Sequence, residues 1–359
     1  MSMTNLFEPV TVGKWVLSNR IAMAPMTRNR AGEGQVPQEI SAQYYGQRAG
    51  AGLIIAEGTQ PSPRGQGYLD SPGIHSSEQI EGWRLIAEAV HARNGHIVVQ
   101  LMHAGRIAHP ENKPGQETVA PSAVAAPDEI FTAKGMQPYP VPRALETHEL
   151  PELVEEFVHA ARSAVEAGLD GVELHAANGY LLHQFLAPST NLRTDEYGGS
   201  PAARARLVVE VAGAVAGAIG PERVGIRISP AHNIHGAIED DTAETAATYR
   251  ALLDGIAPLG LAYLHALADP ADALIQELRT RFSGPFIASD GFAQVTTKES
   301  AQGILDAGLA DVVAVGRPYI ANPDLVRRWS TGAELNEADP ATFYGGGASG
   351  YIDYPDLKD

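Results

Sequence analysis

Eight short apolar runs recur along the chain, separated by longer stretches with helical periodicity. They are Ile21–Met26, Leu53–Ala56, Ile97–Leu101, Gly171–Leu174, Val224–Ile228, Leu261–Leu264, Pro285–Ala288 and Asp311–Val315. Runs this short, bounded by glycine, proline or charge, fit strands buried on both faces. The intervening segments carry helix signals. Ser77–Asn94 begins on serine, spaces Trp83, Leu85, Ile86 and Val90 helically, and stops at Gly95. Leu150–Ala167 has Pro151 in its first turn and Gly168 after its end, as helices prefer. Thr242–Ile256, Asp272–Phe282 and Thr296–Ala307 follow the same pattern. The alternation predicts an α/β fold, a (β/α)8 TIM barrel. A doubly wound sheet would place a glycine-rich turn after its first strand, and Pro25-Met26-Thr27-Arg28 stands there instead. At 359 residues the expectation is a single barrel domain, residues 1–359.

Two stretches lie outside the repeat. Val10–Leu17 alternates around Gly13-Lys14 and reads as a β-hairpin plugging the barrel floor. Residues 103–148 hold Pro110, Pro114, Pro121, Pro127, Pro138, Pro140 and Pro142 and show no long helical pattern. So long an excursion inside a barrel is usually functional; after strand three it would cap the mouth where such enzymes keep their sites.

Composition removes whole chemistries. With no cysteine there is no disulfide framework, thiolate metal site, iron–sulfur cluster or cysteine nucleophile. The 26 Lys+Arg against 43 Asp+Glu give a net charge of −17, which disfavours a nucleic-acid or acidic membrane partner. Met1–Glu8 lacks a basic start and apolar run, and Leu207–Pro221 is too short and Ala/Gly-rich to span a bilayer. A soluble, cytoplasmic protein is expected, as monomer or homodimer.

Polar residues at the carboxyl ends of barrel strands are the candidates for chemistry. Here they are Thr27, Glu57-Gly58, Gln100, His175, Arg227, His265, Asp290-Gly291 and Gly316-Arg317. A Schiff-base aldolase needs a lysine at such an end, and Lys14, Lys113, Lys134, Lys298 and Lys358 all lie elsewhere. A metal hydrolase wants converging His and Asp ligands, whereas His103, His109, His232 and His235 are scattered over loops; no metal ligands are assigned. The turns after strands seven and eight have a phosphate flavour: glycine lets backbone approach an anion, and Arg317 supplies a fork-shaped counter-charge. His175 and Asn178, three apart, can aim two neutral donors at an oxygen that gains negative charge. Tyr180, protonated at neutral pH, can give up a proton. Gln100 and Arg227 sit within apolar strands, where an anionic ligand or a buried carboxylate would be the partner of an otherwise costly guanidinium.

These residues lie in stretches with a marked family likeness. APMTR (Ala24–Arg28), IIAEGTQ (Ile54–Gln60), QLMHAGR (Gln100–Arg106), HAANGYLLHQFLAPSTNLRTDEYGGS (His175–Ser200), VGRPYIANPDLV (Val315–Val326) and FYGGGASGYIDYP (Phe343–Pro355) resemble the old yellow enzyme family of flavin ene-reductases, over essentially the whole chain. The resemblance implies non-covalent FMN at the barrel mouth, reduced by NADPH or NADH and reoxidised by an activated alkene. It places Pro25, Met26, Thr27 and Gly58 along the flavin edge, with Thr27 on the carbonyl near the reactive nitrogen. Gln100 and Arg227 would meet the pyrimidine end, and Asp290, Gly291, Gly316 and Arg317 the phosphate. His175 and Asn178 would hold the substrate oxygen, Tyr180 would protonate the α carbon, and Tyr68, Met102 and Tyr344 would line the substrate cavity.

The sequence departs from relatives at Met102, where the family often has tryptophan, and a flexible thioether should reshape the pocket. It departs again at Asp290, whose carboxylate would have to turn away from a phosphate. The function expected is hydride transfer from NAD(P)H through FMN to α,β-unsaturated carbonyls, nitroalkenes and nitrate esters. The alternatives are a flavin carrier or redox sensor without turnover and a metal-dependent barrel hydrolase.

Overall fold

Strands covered by helices on the outside and by one another within must be apolar on both faces, and the eight runs are. The computed structural model describes residues 5–290 and 294–358. A hairpin of β1 (Val10–Val12) and β2 (Trp15–Leu17) precedes β3 (Ile21–Met23), α1 (Glu39–Gln47), β4 (Leu53–Thr59), α2 (Ser77–His91) and β5 (Ile97–Leu101). An excursion then carries β6 (Val119–Ala120), β7 (Glu129–Thr132), β8 (Gly135–Pro138) and β9 (Arg143–Ala144) before α3 (Leu150–Glu166) and β10 (Gly171–Ala176). The chain continues through α4 (Leu181–Leu186), α5 (Pro201–Ile219), β11 (Val224–Ile228), α6 (Thr242–Ile256), β12 (Tyr263–Leu267) and α7 (Ala273–Phe282). It ends with β13 (Phe286–Ser289), α8 (Lys298–Asp306), β14 (Val312–Val315), α9 (Arg317–Ala321) and α10 (Leu325–Thr331).

Among the described residues, β3, β4, β5 and β10 to β14 close in chain order into one parallel barrel, β14 pairing β3. The expected (β/α)8 fold is therefore present. The helices start where side chains can cap them: Ser76 and Gln79 form a reciprocal capping box on α2, and Asp241 and Asp272 cap α6 and α7.

Alternation along each strand divides the core in two. Outward residues such as Ile54, Val99, Val172, Ile226 and Val313 pack under the helices. Inward residues Ala22, Leu53, Ile55, Val98, Tyr263, Ile287 and Val312 form a separate cluster with Val12, Trp15 and Leu17 of the hairpin. The hairpin thus plugs the barrel, as its pattern suggests. Glycines make room for the rings: a Cβ on Gly171 would stand 3.1 Å from Trp15, and one on Gly225 only 2.1 Å from the Tyr263 ring.

Among the boundaries that differ from the sequence reading, three change what faces the interior. The fourth strand extends to Ala176 and the sixth is shifted to Tyr263–Leu267, so His175 and His265 lie within strands rather than beyond them. The second strand runs on to Thr59 with a bulge between Ala56 and Gly58. Glu57 there accepts hydrogen bonds from Arg28 N (3.0 Å) and Tyr45 Oη (3.2 Å), which removes it from the candidates at the strand ends. The excursion contains a hairpin, β7 with β8, that its proline content conceals. The Leu207–Pro221 stretch forms most of α5, buried on one side by Leu207, Val208, Val211 and Val215.

If the hairpin belongs to the core, Trp15→Ala should lower unfolding stability by about 3–5 kcal/mol. Urea denaturation would measure it; a loss below about 1 kcal/mol would show the plug to be an ornament.

Candidate active site

Above the apolar floor the inward residues of four adjacent strands turn polar. Gln100 pairs in register with Glu173, His175 with Arg227, and Arg227 with His265. All five are buried. The Glu173 carboxylate accepts from Gln100 Nε2 at 2.8 Å and from His265 Nδ1 at 2.9 Å. Burial pushes Glu173 up, but the His265 ring, the Arg227 charge and the Gln100 amide outweigh it and hold the carboxyl below its usual range. Burial, aided by the nearby Arg227 charge, holds the His175 imidazole well below its ordinary value, so the ring is neutral. His175 Nδ1, Asn178 Oδ1 and Arg227 Nε are buried and have no hydrogen-bond partner. Native interiors leave few such atoms, and a cluster of them at a barrel mouth marks a ligand site.

The turn after β10 carries the remaining chemistry. Asn178 adopts φ 57°, its N–H donates to Ser229 Oγ (2.8 Å) and its carbonyl accepts from His235 Nδ1 (2.8 Å). Gly179 must be glycine: φ is 75°, and a Cβ would stand 2.6 Å from Ile234 O. Its N–H donates to His183 Nδ1 (2.8 Å), and His183 in turn meets Tyr249 Oη at 3.2 Å. Tyr180 then projects among three rings, with centroids 4.9 Å from His175, 5.4 Å from His235 and 6.4 Å from Tyr68. Its hydroxyl lies 2.8 Å from Tyr68 Oη. Burial pushes the phenol up to about 12, so it stays protonated.

The other sequence candidates divide. Pro25, Met26 and Thr27 follow β3 and are partly exposed at the mouth. Gly58 leaves room for Met102, whose Sδ would stand 2.6 Å from an added Cβ, and Met102 packs with Ala104, Ile107, Ala108, Ala126 and Tyr180. Gly316 precedes α9 with only Met26 Sδ (3.7 Å) and Ala24 Cβ (3.9 Å) near its missing side chain. The exposed Arg317 donates to Gln294 O at 3.2 Å. The Asp290 carboxylate accepts from Thr296 Oγ1 at 2.8 Å; Gly291 lies outside the described residues. Tyr344 is 70% exposed, on a glycine-rich tail fixed by Arg28, which donates to Phe343 O (2.9 Å) and Gly350 O (2.8 Å).

Two contributors escape the sequence. His235 was one histidine among several on loops, yet it packs on Tyr180 from a loop in which Ala231, Asn233 and His235 all have positive φ. Arg106, in the excursion, donates to His235 O at 2.9 Å and to Ala125 O at 3.1 Å, tying the cap to that loop. The asparagine before His235 is a weak signal for such a conformation; nothing in the sequence pairs the loop with Tyr180.

Residues 5–336 match the family model described as the NADH:flavin oxidoreductase / NADH oxidase family. The chain belongs to that family. It is 41% identical to 12-oxophytodienoate reductase 1 of Oryza sativa subsp. japonica, over 99% of this chain and 93% of the relative. Among solved structures, morphinone reductase in complex with tetrahydroNAD is 46% identical with a TM-score of 0.92, covering 99% of this chain and 98% of that one. The old yellow enzyme homologue from Zymomonas mobilis is 42% identical with a TM-score of 0.91, covering 98% and 100%. The old yellow enzyme resemblance is borne out, and the chain is an FMN-dependent, nicotinamide-using oxidoreductase rather than a metal hydrolase or a passive flavin carrier.

His103 and His175 are both buried and held well below the usual histidine value, chiefly by burial. The unfolded chain takes up protons on them near pH ~6.5 and the folded chain does not, so stability falls as pH drops below that point. The loss should approach ~1.4 kcal/mol per pH unit for each ring. Urea midpoints at neutral and mildly acidic pH test this; a midpoint constant across that range would contradict it.

Proposed function

We propose that this enzyme reduces activated alkenes, α,β-unsaturated carbonyls and nitroalkenes among them, and accepts nitrate esters at the same donor pair. The observation that carries the reading is the end of β10 and the turn after it, which bring the neutral His175 ring, its Nδ1 without a partner, and the Asn178 amide beside the protonated Tyr180. The mouth suits FMN: Arg227 Nε is buried without a partner, where a flavin gathers negative charge on reduction. Gln100 and Arg227 would hold the pyrimidine end, and Pro25, Met26, Thr27 and Gly58 the adjoining edge. Asp290, Gly291, Gly316 and Arg317 would hold the phosphate, the Asp290 side chain being turned to Thr296. When bound, FMN supplies hydride transfer, taking hydride from NADPH or NADH and returning it to the substrate.

The chain's own residues do the rest. His175 and Asn178 would bind the carbonyl or nitro oxygen and stabilise the negative charge it gains as hydride reaches the β carbon. Tyr180 would deliver the proton to the α carbon from the opposite face, completing the saturated product, and recover a proton from solvent. Tyr68, Met102 and Tyr344 would wall the cavity; Tyr68 is hydrogen-bonded to Tyr180. Nicotinamide and alkene would use this one site in turn. Residues 1–359 act as one flavin-binding barrel domain with 103–148 as its cap, in the cytoplasm, as a monomer or homodimer, without nucleic-acid or membrane partners. Among the described residues no helix is long and apolar enough to cross a membrane.

Replacing both His175 and Asn178 by alanine should slow alkene turnover at least 100-fold, since one oxyanion donor contributes ~3–4 kcal/mol where such donors act; stopped-flow kinetics with 2-cyclohexenone measure it, and unchanged turnover would sink the reading. Tyr180→Phe should slow reoxidation by enones while flavin reduction by NADPH keeps its rate. Equal slowing of both halves would contradict the proton-donor role.

A further inference from the structure

The Glu173 carboxylate is closed inside the barrel, one alternation below His175 on the same inward face, and is used by none of the steps above. A carboxylate held ionised can only accept hydrogen bonds. Gln100 must therefore turn its Nε2 toward Glu173, at 2.8 Å, which leaves its carbonyl oxygen, an acceptor, for whatever lies above. His265 supplies the second N–H, at 2.9 Å, and the Glu173 and His265 side chains are wholly buried. Arg227 stands between His175 and His265 in the barrel register, close enough that its charge and that of Glu173 act on each other. Burial weakens solvent screening, so the pair interacts strongly.

From this juxtaposition we propose that Glu173 is a positioning residue for the flavin. It fixes the Gln100 amide with its oxygen toward the ring's imide N–H, and its charge partly offsets Arg227, restraining how far that cation favours the reduced cofactor. The inference rests on the FMN reading above. A flavin that has gained charge beside Arg227 is stabilised by the guanidinium and destabilised by the carboxylate behind it. Removing the negative charge while keeping the shape should therefore make bound FMN easier to reduce.

The test is the midpoint potential of FMN bound to the purified holoenzyme, followed by absorbance against a reference dye. Glu173→Gln should move the reduction equilibrium at least tenfold toward the reduced form, ~30 mV more positive for a two-electron couple. Glu173→Asp, which keeps the charge but draws it back by one methylene, should move it the same way by less. His265→Gln, which changes no charge in a neutral pair of donors, should leave it within about twofold. If Glu173→Gln does not fold, the Asp variant decides. A potential unchanged or more negative, even with a lowered melting temperature, makes Glu173 a scaffold group and overturns the proposal, as does loss of FMN from both variants when they remain folded. A wild-type chain that takes up no FMN fails the functional reading itself, and this inference with it.

Discussion

The carboxylate of Glu173, shared between Gln100 and His265 inside a sealed barrel, is the contact on which the site above it depends. A buried anion is costly unless donors surround it. Here the donors come from neighbouring strands β5 and β12 on either side of the β10–β11 pair, so satisfying the charge also fixes the orientation of the strands that carry His175 and Arg227. The apolar half of the interior, with Ala22, Ile55, Ile287 and Ala314 around the Trp15 hairpin, provides the rigid, dry floor that such a polar tier needs. Chemistry is thereby confined to one sector of one end of the barrel.

The sequence exposes this architecture because a short apolar run bounded by glycine, proline or charge is a local signal, and eight such runs alternating with helical segments add up to a topology. It exposes His175, Asn178 and Tyr180 for a similar reason: three chemically distinct residues stand within six positions. It is weaker where function depends on contacts between distant loops. His235 reaches Tyr180 only through backbone at positive φ, which residue identity signals faintly. Strand ends differ from the apolar runs by up to three residues, as at Thr59 and Leu267, because apolar runs stop where polar side chains begin even when the backbone stays extended. A histidine that closes a run on paper is, in the barrel, an inward rung.

The carboxyl-terminal tail illustrates the same limit. Phe343–Pro355 was legible as a family stretch but not as a packed element. It is held by a stack of Tyr351 on Tyr44, centroids 4.1 Å apart, with the Arg28 and Arg48 guanidinium groups over the Tyr44 ring. Arg28 precedes α1 and follows the first barrel strand. One residue next to Thr27 therefore fixes the tail that carries Tyr344, although more than 300 positions separate Arg28 from the tail backbone it bonds. Cation–π and carbonyl contacts of this kind have no period and leave no pattern in the chain.

Buried arginines give the clearest argument that the barrel mouth is made for a ligand. In a chain of net charge −17 a surface carboxylate is the easy partner for any guanidinium. Arg28, Arg30, Arg48, Arg106, Arg204 and Arg328 are all buried and all donate to backbone carbonyls, Gly350 O, Thr342 O, Tyr319 O, His235 O, Leu186 O and Glu334 O respectively, and Arg204 and Arg328 pair with Glu244 and Asp324 as well. They act as staples, each closing a loop whose carbonyls would otherwise be unsatisfied. Arg227 is as deeply buried, in the middle of a strand whose own carbonyls are spent on the barrel ladder. Its Nε meets no acceptor, and Glu173, the carboxylate whose charge acts on it, is already engaged by two other donors. A guanidinium kept in that position without a carbonyl to close is explained by an acceptor that arrives from outside the chain.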